Sequence, residues 1–364
     1  MKAIVTVHNL PVHTPFAIAG GTMQSAQCAI VALSVESGHD ALTGLGEAAP
    51  FSAVTGEEIK QTATMIEALC DDIKFMTPES AVRVLRDRST DDSLSRSALC
   101  AVECAVLDLL AQRARIPLWR FFGSPVAAPG GSRVIRTDIT VPVMDAARVT
   151  TFLEKFSSHN FDTFKVKVSG QVDRDTDSVR AVSAWLSARG QDARIILDGN
   201  QGFDVKRARQ LLQNLEKLEI RAVCFEQPLP RADFRGLAEL SRSTPVPVLL
   251  DESVTSAKEV FHAREARAGS MINIKITKSG VIEALRMIAA ARSLGMGLMI
   301  GGMLETEIAM GFSLHMATGF GGFDLVDLDT PFFIDRRLTT KSPWHMPSAS
   351  LEVANLPGSG LRLA

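Results

Sequence analysis

Long apolar runs are missing from this chain. No stretch reaches the roughly 18 consecutive apolar residues that a membrane-crossing helix needs. The opening residues, MKAIVTVHNL, lack the apolar core of an export signal. An excess of either charge is missing too. With 39 Lys and Arg against 41 Asp and Glu, the formal net charge is −2, which leaves no basic footprint for nucleic acid or an anionic membrane. Paired cysteines are also absent: the five (Cys28, Cys70, Cys100, Cys104, Cys224) are odd in number and form no CxxC. Cys100 and Cys104 sit in ALCAVECAVLDLLA, which reads as a buried helix. A reducing, cytoplasmic setting without structural disulfides is expected. What remains is a chain of 364 residues, 46% hydrophobic and 22% charged. That is an ordinary globular composition, long enough for two domains or one barrel with an addition.

The pattern changes along the chain. Residues 1 to 60 alternate apolar and polar in AIVTVHNL and CAIVALSVES, as antiparallel strands do, with GHDALTG as a hairpin turn. From Glu57 to Phe122 the spacing is helical, and VAAPGGS (126–132) reads as a linker. Short β-prone runs then recur at 136–141, 163–168, 194–197, 222–225, 246–250, 271–276, 297–300 and 324–328, separated by amphipathic stretches of helical length. Eight strands alternating with helices favour a closed α/β barrel. The last stretch, LEVANLPGSGLRLA, reads as a strand and turn that returns to the N-terminal part. The expected domains are an α+β cap over 1–125, a barrel over 126–335 and a returning segment over 336–364.

Three of the runs end in an acid: Asp198 after RIIL, Glu226 after AVCF and Asp251 after VPVLL, 28 and 25 residues apart. That interval is one strand–helix unit, so all three carboxylates belong at one rim of the barrel, where catalytic groups gather. Three hard oxygen donors there suit a divalent cation such as Mg²⁺. The second run, FKVKV, places Lys165 and Lys167 on one face of a strand. Alone, the pair would be a strand end with two solvated ammonium groups. Beside three acids at equivalent positions that reading loses: repulsion between the two ammonium groups, increased by a nearby Mg²⁺, favours a neutral amine near pH 7, and Lys167 is the candidate general base. The sixth run, MINIKI, carries Lys275 on the opposite side of the barrel. A lysine from each side would flank one bound molecule, as a two-base inversion requires. Lys278, in the loop beyond, reads as a solvated residue.

The KxK pair, the three acids, NIK with Lys275, DGNQG after the third run and EQP after the fourth together resemble the muconate-lactonising branch of the enolase superfamily. TGLGEAAP and IPLWRFFG extend the likeness into the N-terminal region. The resemblance implies an α+β capping domain over a (β/α)7β TIM-like barrel and one Mg²⁺ per site. It also implies that Lys167 and Lys275 are the catalytic acid and base, that Lys165 contacts a substrate carboxylate, and that Asn200 supports the metal.

Cycloisomerases, syn-dehydrating synthases, N-acylamino-acid racemases and dipeptide epimerases share that core. DLVDLDTPFF distinguishes among them: Asp327 and Asp329 are two residues apart and resemble the DxD with which dipeptide epimerases hold a substrate ammonium. The bland alternative is that they cap the turn before Pro331. FSAVTGE (51–57) is similar to the capping loop of that group, and by the same likeness Thr140 and Gly302 line the pocket. Enzymes that epimerise alanyl-glutamate resemble one another in an arginine on the first mobile loop. This chain has Gly20 and Gly21 there, and no Lys or Arg lies between Lys2 and Lys60. The expected activity is Mg²⁺-dependent epimerisation of neutral or apolar dipeptides. The rivals are an N-succinylamino-acid racemase or o-succinylbenzoate synthase, a muconate cycloisomerase-type enzyme, and a barrel that only binds. A homo-oligomer with no nucleic-acid or membrane partner is expected.

Overall fold

The structure is a computed structural model and describes residues 1–37, 40–91, 93–123, 134–343 and 348–364. Three antiparallel strands open the chain: β1 (Lys2–Ile18), β2 (Gly21–Ser37) and β3 (Asp40–Ala48). The tip of the first hairpin is closed by pairing of Ile18 with Gly21. Helices α1 (Ser52–Thr55), α2 (Ile59–Ile73), α3 (Pro78–Arg88), α4 (Arg96–Arg113) and α5 (Leu118–Phe121) follow. The linker expected at 126–132 lies outside the described residues.

The face of β2 carrying Ala29, Val31 and Leu33 packs with α2 and α4 into a common apolar core. Gly44 and Gly46 of TGLGEAAP explain how α4 comes so close to β3: a Cβ at Gly46 would stand 1.8 Å from the Ala101 carbonyl oxygen, and one at Gly44 2.0 Å from that of Ala105. Cys100 and Cys104 lie one turn apart in the buried helix α4.

The second sheet is parallel and eight-stranded. Its chain order is β5 (Ile139–Val141), α6 (Ala146–Glu154), β6 (Thr163–Lys167), α7 (Val172–Ser187), β7 (Arg194–Asp198), α8 (Val205–Lys217), β8 (Ala222–Glu226), α9 (Phe234–Ser243) and β9 (Val248–Leu250). Then come α10 (Ala257–Ala266), β10 (Met271–Ile274), the single turn α11 (Ile276–Ser279), α12 (Val281–Ser293), β11 (Gly297–Ile300), α13 (Glu307–Phe320) and β12 (Leu325–Val326). Neighbours in the sheet follow chain order, and the Asp138 N–H donates to the Val326 carbonyl at 3.0 Å, which brings the first and last strands together. This is the (β/α)7β barrel.

The helices follow from the pattern. In α8, Asp204 caps the N-terminus by accepting from the Arg207 N–H at 2.8 Å, and Ala208, Leu211 and Leu215 form the buried stripe. Each such leucine, fully buried, contributes about 1.5–3 kcal/mol. One expected strand divides. Residues 136–141 are not one run: β4 (Val134–Arg136) pairs antiparallel with β13 (Ser350–Glu352), and only Ile139–Val141 joins the barrel. The final segment continues to α4, where Asp108 accepts from the Ser359 N–H at 2.7 Å and its hydroxyl at 3.1 Å.

Two carboxylates cross between the domains. Glu47 of β3 accepts from the N–H groups of Thr306 and Ala309 at 2.8 and 2.9 Å, at the start of α13. Glu103 of α4 accepts from the N–H groups of Val281 and Ile282, which open α12. Two barrel helices therefore have their first N–H groups capped by carboxyl side chains from the other domain. Among the described residues no helix is long and apolar enough to cross a membrane.

Candidate active site

The site lies where the parallel strands end. Register pairs Lys167 with Asp198 and Asp198 with Glu226 on adjacent strands, and Asp251 follows the last residue of β9. Lys165 and Lys167 share the inward face of β6, as alternation requires. Lys275 is one residue beyond β10, because the expected strand 271–276 gives way to α11. Thr140, Lys165, Lys167, Lys275, Gly302 and Asp327 all line one cavity, and Asp251 and Asn200 reach its wall. Asp198 and Glu226 lie just beneath, fully buried.

The lysines stand between the acids. The Lys165 Nζ is 3.1 Å from Asp198 Oδ2, 2.7 Å from Glu226 Oε2 and 2.6 Å from Asp327 Oδ2. Lys167 Nζ is 2.7 Å from Asp198 Oδ2 and donates to Asn200 Oδ1 at 3.0 Å. Lys275 Nζ is 2.7 Å from Asp251 Oδ2 and 4.0 Å from Glu226 Oε1. Asp198 and Glu226 thus converge on one cationic centre, and Glu226 and Asp251 approach another.

Burial opposes charge on Asp198, but the ammonium groups of Lys167 and Lys165 outweigh it and hold the carboxyl at about 2. In Asp251 the same opposition is won by Lys275 and Lys278, and the carboxyl lies far below its ordinary range. Glu226 is raised, chiefly by burial. Burial alone would lower Lys165 and Lys275. Asp327, Glu226 and Asp198 outweigh it at Lys165, and Asp251 does so at Lys275, so both are raised.

Lys278 corrects the sequence reading. It is not solvated but buried, donating to both the carbonyl and Oδ1 of Asp251 and to the Asn273 carbonyl at 3.3 Å. The turn α11 places it three residues after Lys275, on the same side, folded back over the strand ends.

Asp327 and Asp329 also part company. Asp327 lines the cavity, whereas Asp329 is buried behind it and accepts from the Thr140 N–H at 2.5 Å. Because β12 stops at Val326, the chain bends before Asp329 and turns that carboxylate toward β5. Its side chain makes no capping bond to the following turn. Asp138, Asp327 and Asp329 bring one oxygen each within 4.8 Å of one another.

Sequence reasoning missed several supports. Asn273, inside β10, donates to Glu226 Oε1 at 2.8 Å. Gln227 accepts from the N–H groups of Asp251 and Ser253 at 2.9 and 3.1 Å and donates to the Leu229 carbonyl at 2.9 Å, locking the ends of β8 and β9 together. Glu252 lines the cavity and Glu305 lies behind Gly302; burial pushes both carboxyls up to about 8. A polar residue within an apolar run was the available signal for Asn273.

The mouth is apolar. Phe16, Ile18 and Met23 of the first hairpin, with Phe51 and Val54 from the region of α1, close over the lysines. Lys167 Nζ stands 5.6 Å from the centre of the Phe16 ring.

Comparison with known proteins agrees with this architecture. Residues 1–123 match the mandelate racemase/muconate lactonizing enzyme N-terminal domain, and residues 148–364 match the enolase C-terminal domain-like family. An aromatic dipeptide epimerase from Herpetosiphon aurantiacus is 36% identical over 98% of this chain and 96% of its own length. A hydrophobic dipeptide epimerase from Citrifermentans bemidjiense is 33% identical over 92% of this chain and 90% of its own. A dipeptide epimerase from Enterococcus faecalis, solved with Mg and L-Leu-L-Tyr, superposes with a TM-score of 0.90 at 28% identity, covering 99% of this chain and 98% of that one. The chain belongs to the mandelate racemase/muconate lactonizing enzyme family of the enolase superfamily.

Proposed function

We propose that this protein is a Mg²⁺-dependent dipeptide epimerase that inverts the α-carbon of the C-terminal residue, favouring neutral or apolar dipeptides. The observation that carries the reading is that Lys167 of β6 and Lys275 beyond β10, from opposite sides of the barrel, line one cavity. Acids from the intervening strands stand between them. The names of the relatives from Herpetosiphon and Citrifermentans support the substrate class.

Asp198, Glu226 and Asp251 would hold the metal. The chemistry of the donor set suits it: hard anionic oxygens from these three strand ends gather in pairs about the cationic centres of Lys165 and Lys275. When bound, a divalent cation offsets the second negative charge that builds on a substrate carboxylate as the α-proton leaves. The chain's own residues do the rest. Lys165 turns its ammonium to the substrate carboxylate. One of Lys167 and Lys275, as the free amine, removes the α-proton at Nζ, and the other, as the ammonium, returns a proton to the opposite face. Thr140 and Gly302 shape the wall, while Asp327 faces the substrate ammonium and Asp329 adds its charge from behind the wall. Phe16, Ile18, Met23, Phe51 and Val54 keep water from the reacting carbon.

Incubation with Mg²⁺ and a mixed L,L-dipeptide library in D₂O tests this. Epimerised substrates gain one mass unit as the α-proton exchanges. Lys167→Ala and Lys275→Ala should each abolish epimerisation, and each should spare α-proton exchange in one configuration only, opposite for the two variants. Exchange restricted to N-succinylated amino acids would overturn the substrate assignment. Loss of exchange from both configurations in one variant, with the other variant unaffected, would overturn the two-base mechanism.

A further inference from the structure

One buried acid has no part in that chemistry. Asp138 lies two residues before Thr140, on the same inward face and one layer deeper in the barrel. It is 0% exposed, and neither of its oxygens receives a hydrogen bond. Asp329 is equally buried; its Oδ2 takes the Thr140 N–H, and its Oδ1 receives nothing. The charged groups that act most strongly on Asp138 are Asp327, Asp329, Lys165 and Glu226, and among these Lys165 is the cation. That ammonium has three N–H donors, and it already has three carboxylate partners in Asp327, Glu226 and Asp198. Its contacts go to those three acids and not to Asp138. Two dry carboxylates this close cannot both be ionised, and one shared proton gives a partner to one Asp138 oxygen and to Asp329 Oδ1.

We propose that Asp138 is a positioning residue for the ammonium end of the pocket: it shares one proton with Asp329 in the free protein, and the pair releases that proton to solvent when a substrate ammonium settles against Asp327. One positive charge replaces another, and the buried cluster keeps its balance. Burial, followed by Asp327 and Asp329, pushes Asp138 well above the carboxylate range. Burial, followed by Asp327, pushes Asp329 up to about 7. Below that value the proton is held more firmly and the ammonium must displace it, so KM rises as pH falls. The proposal rests on the dipeptide reading, because an N-acylated substrate brings no cation to make the exchange.

The test titrates Ala-Leu into the Mg²⁺-saturated protein at pH 6 in two buffers of different ionisation enthalpy. The wild type should release close to one proton per dipeptide bound. Its KM should rise toward tenfold per pH unit below about pH 7, the limit for one coupled proton. Asp138→Asn should release none, and its KM should be flat from pH 5.5 to 7.5, with the change falling in KM rather than kcat. Wild-type binding without proton release, or an unchanged acid limb in Asp138→Asn, would overturn this proposal alone. Failure of the wild type to bind or turn over any dipeptide would overturn the dipeptide reading, and this proposal with it. Proton release on adding K⁺, Na⁺ or excess Mg²⁺ without dipeptide would assign the three acids to an inorganic ion and also overturn it.

Discussion

Side-chain charge is the property that the proposed dipeptide site would select against. The wall that closes over the lysines is Phe16, Ile18, Met23, Phe51 and Val54, and the tip of the first hairpin carries Gly20 and Gly21. The three cavity lysines each have a carboxylate within 2.7 Å and serve the reacting carboxylate and α-carbon in the proposed chemistry, so none is left for a side-chain anion. A leucine or phenylalanine side chain buried against this wall gains about 2 kcal/mol. A glutamate side chain forgoes that gain and bears the cost of desolvating an unpaired carboxylate, several kcal/mol when complete and about 2 kcal/mol with water retained at the mouth. The difference is about 4 kcal/mol, or roughly a thousandfold in kcat/KM. Polarimetric or D₂O-exchange rates for Ala-Leu, Ala-Phe and Ala-Glu at matched Mg²⁺ measure it directly. Met23→Arg puts a cation into the wall and should narrow the gap at least tenfold, mostly by raising Ala-Glu. Equal or better turnover of Ala-Glu by the unaltered protein would refute the reasoning. Arg231, which lines an adjoining recess with Glu57, Thr255 and Glu252, would then be the cation to examine by Arg231→Ala.

Two further outcomes follow from the buried charges. Asp251→Asn removes the acid shared by Lys275 and Lys278. Calorimetry should show Mg²⁺ affinity weakened at least a hundredfold, and with two buried ammonium groups left facing a neutral amide, melting should show the fold destabilised by about 3 kcal/mol. Glu103 provides the pH test: burial raises its carboxyl to about 8 even against two backbone donors. The folded state therefore holds a proton that the unfolded chain loses near its ordinary value of 4.5. Its contribution to stability is full below pH 4.5 and declines until pH 8. Glu103→Gln keeps an acceptor for the start of α12 without a titrating group, so the fall in Tm between pH 5 and 8 should be shallower than in the wild type. Parallel slopes would refute the assignment.

The barrel was legible because its strands announce their own ends. Asp198, Glu226 and Asp251 each follow an apolar run that no solvated loop would contain, and their spacing matches one β–α unit. Boundaries were less legible where the chain serves two sheets. Residues 136–141 have a continuous β-prone composition, yet Val134–Arg136 pairs with Ser350–Glu352 and only Ile139–Val141 pairs with β6. That division depends on a partner more than two hundred residues away, which no local pattern encodes.

Within the site, charged residues that repeat from strand to strand or form a motif were found, and isolated polar residues and the fold-back beyond β10 were not. Lys278 looked solvated because α11 is a single turn, too short for periodicity to reveal that it folds back onto Asp251. Asn273 and Asp138 were overlooked for the opposite reason: Asn273 reads as noise in the hydrophobic run MINIKI, and Asp138, just before β5 in RTDITV, reads as part of a polar strand entrance. Strand parity could have located them. Asp138 shares its face with Thr140, and Asn273 shares its face with Lys275, so each lies one step below a residue already assigned to the rim. In a barrel the inward face at that depth is dry, and a polar group there must hold a partner, a proton or a ligand. Asn273 holds Glu226. Asp138 receives no hydrogen bond from its neighbours, and that difference is why it, rather than any residue at the rim, carries the inference about proton exchange.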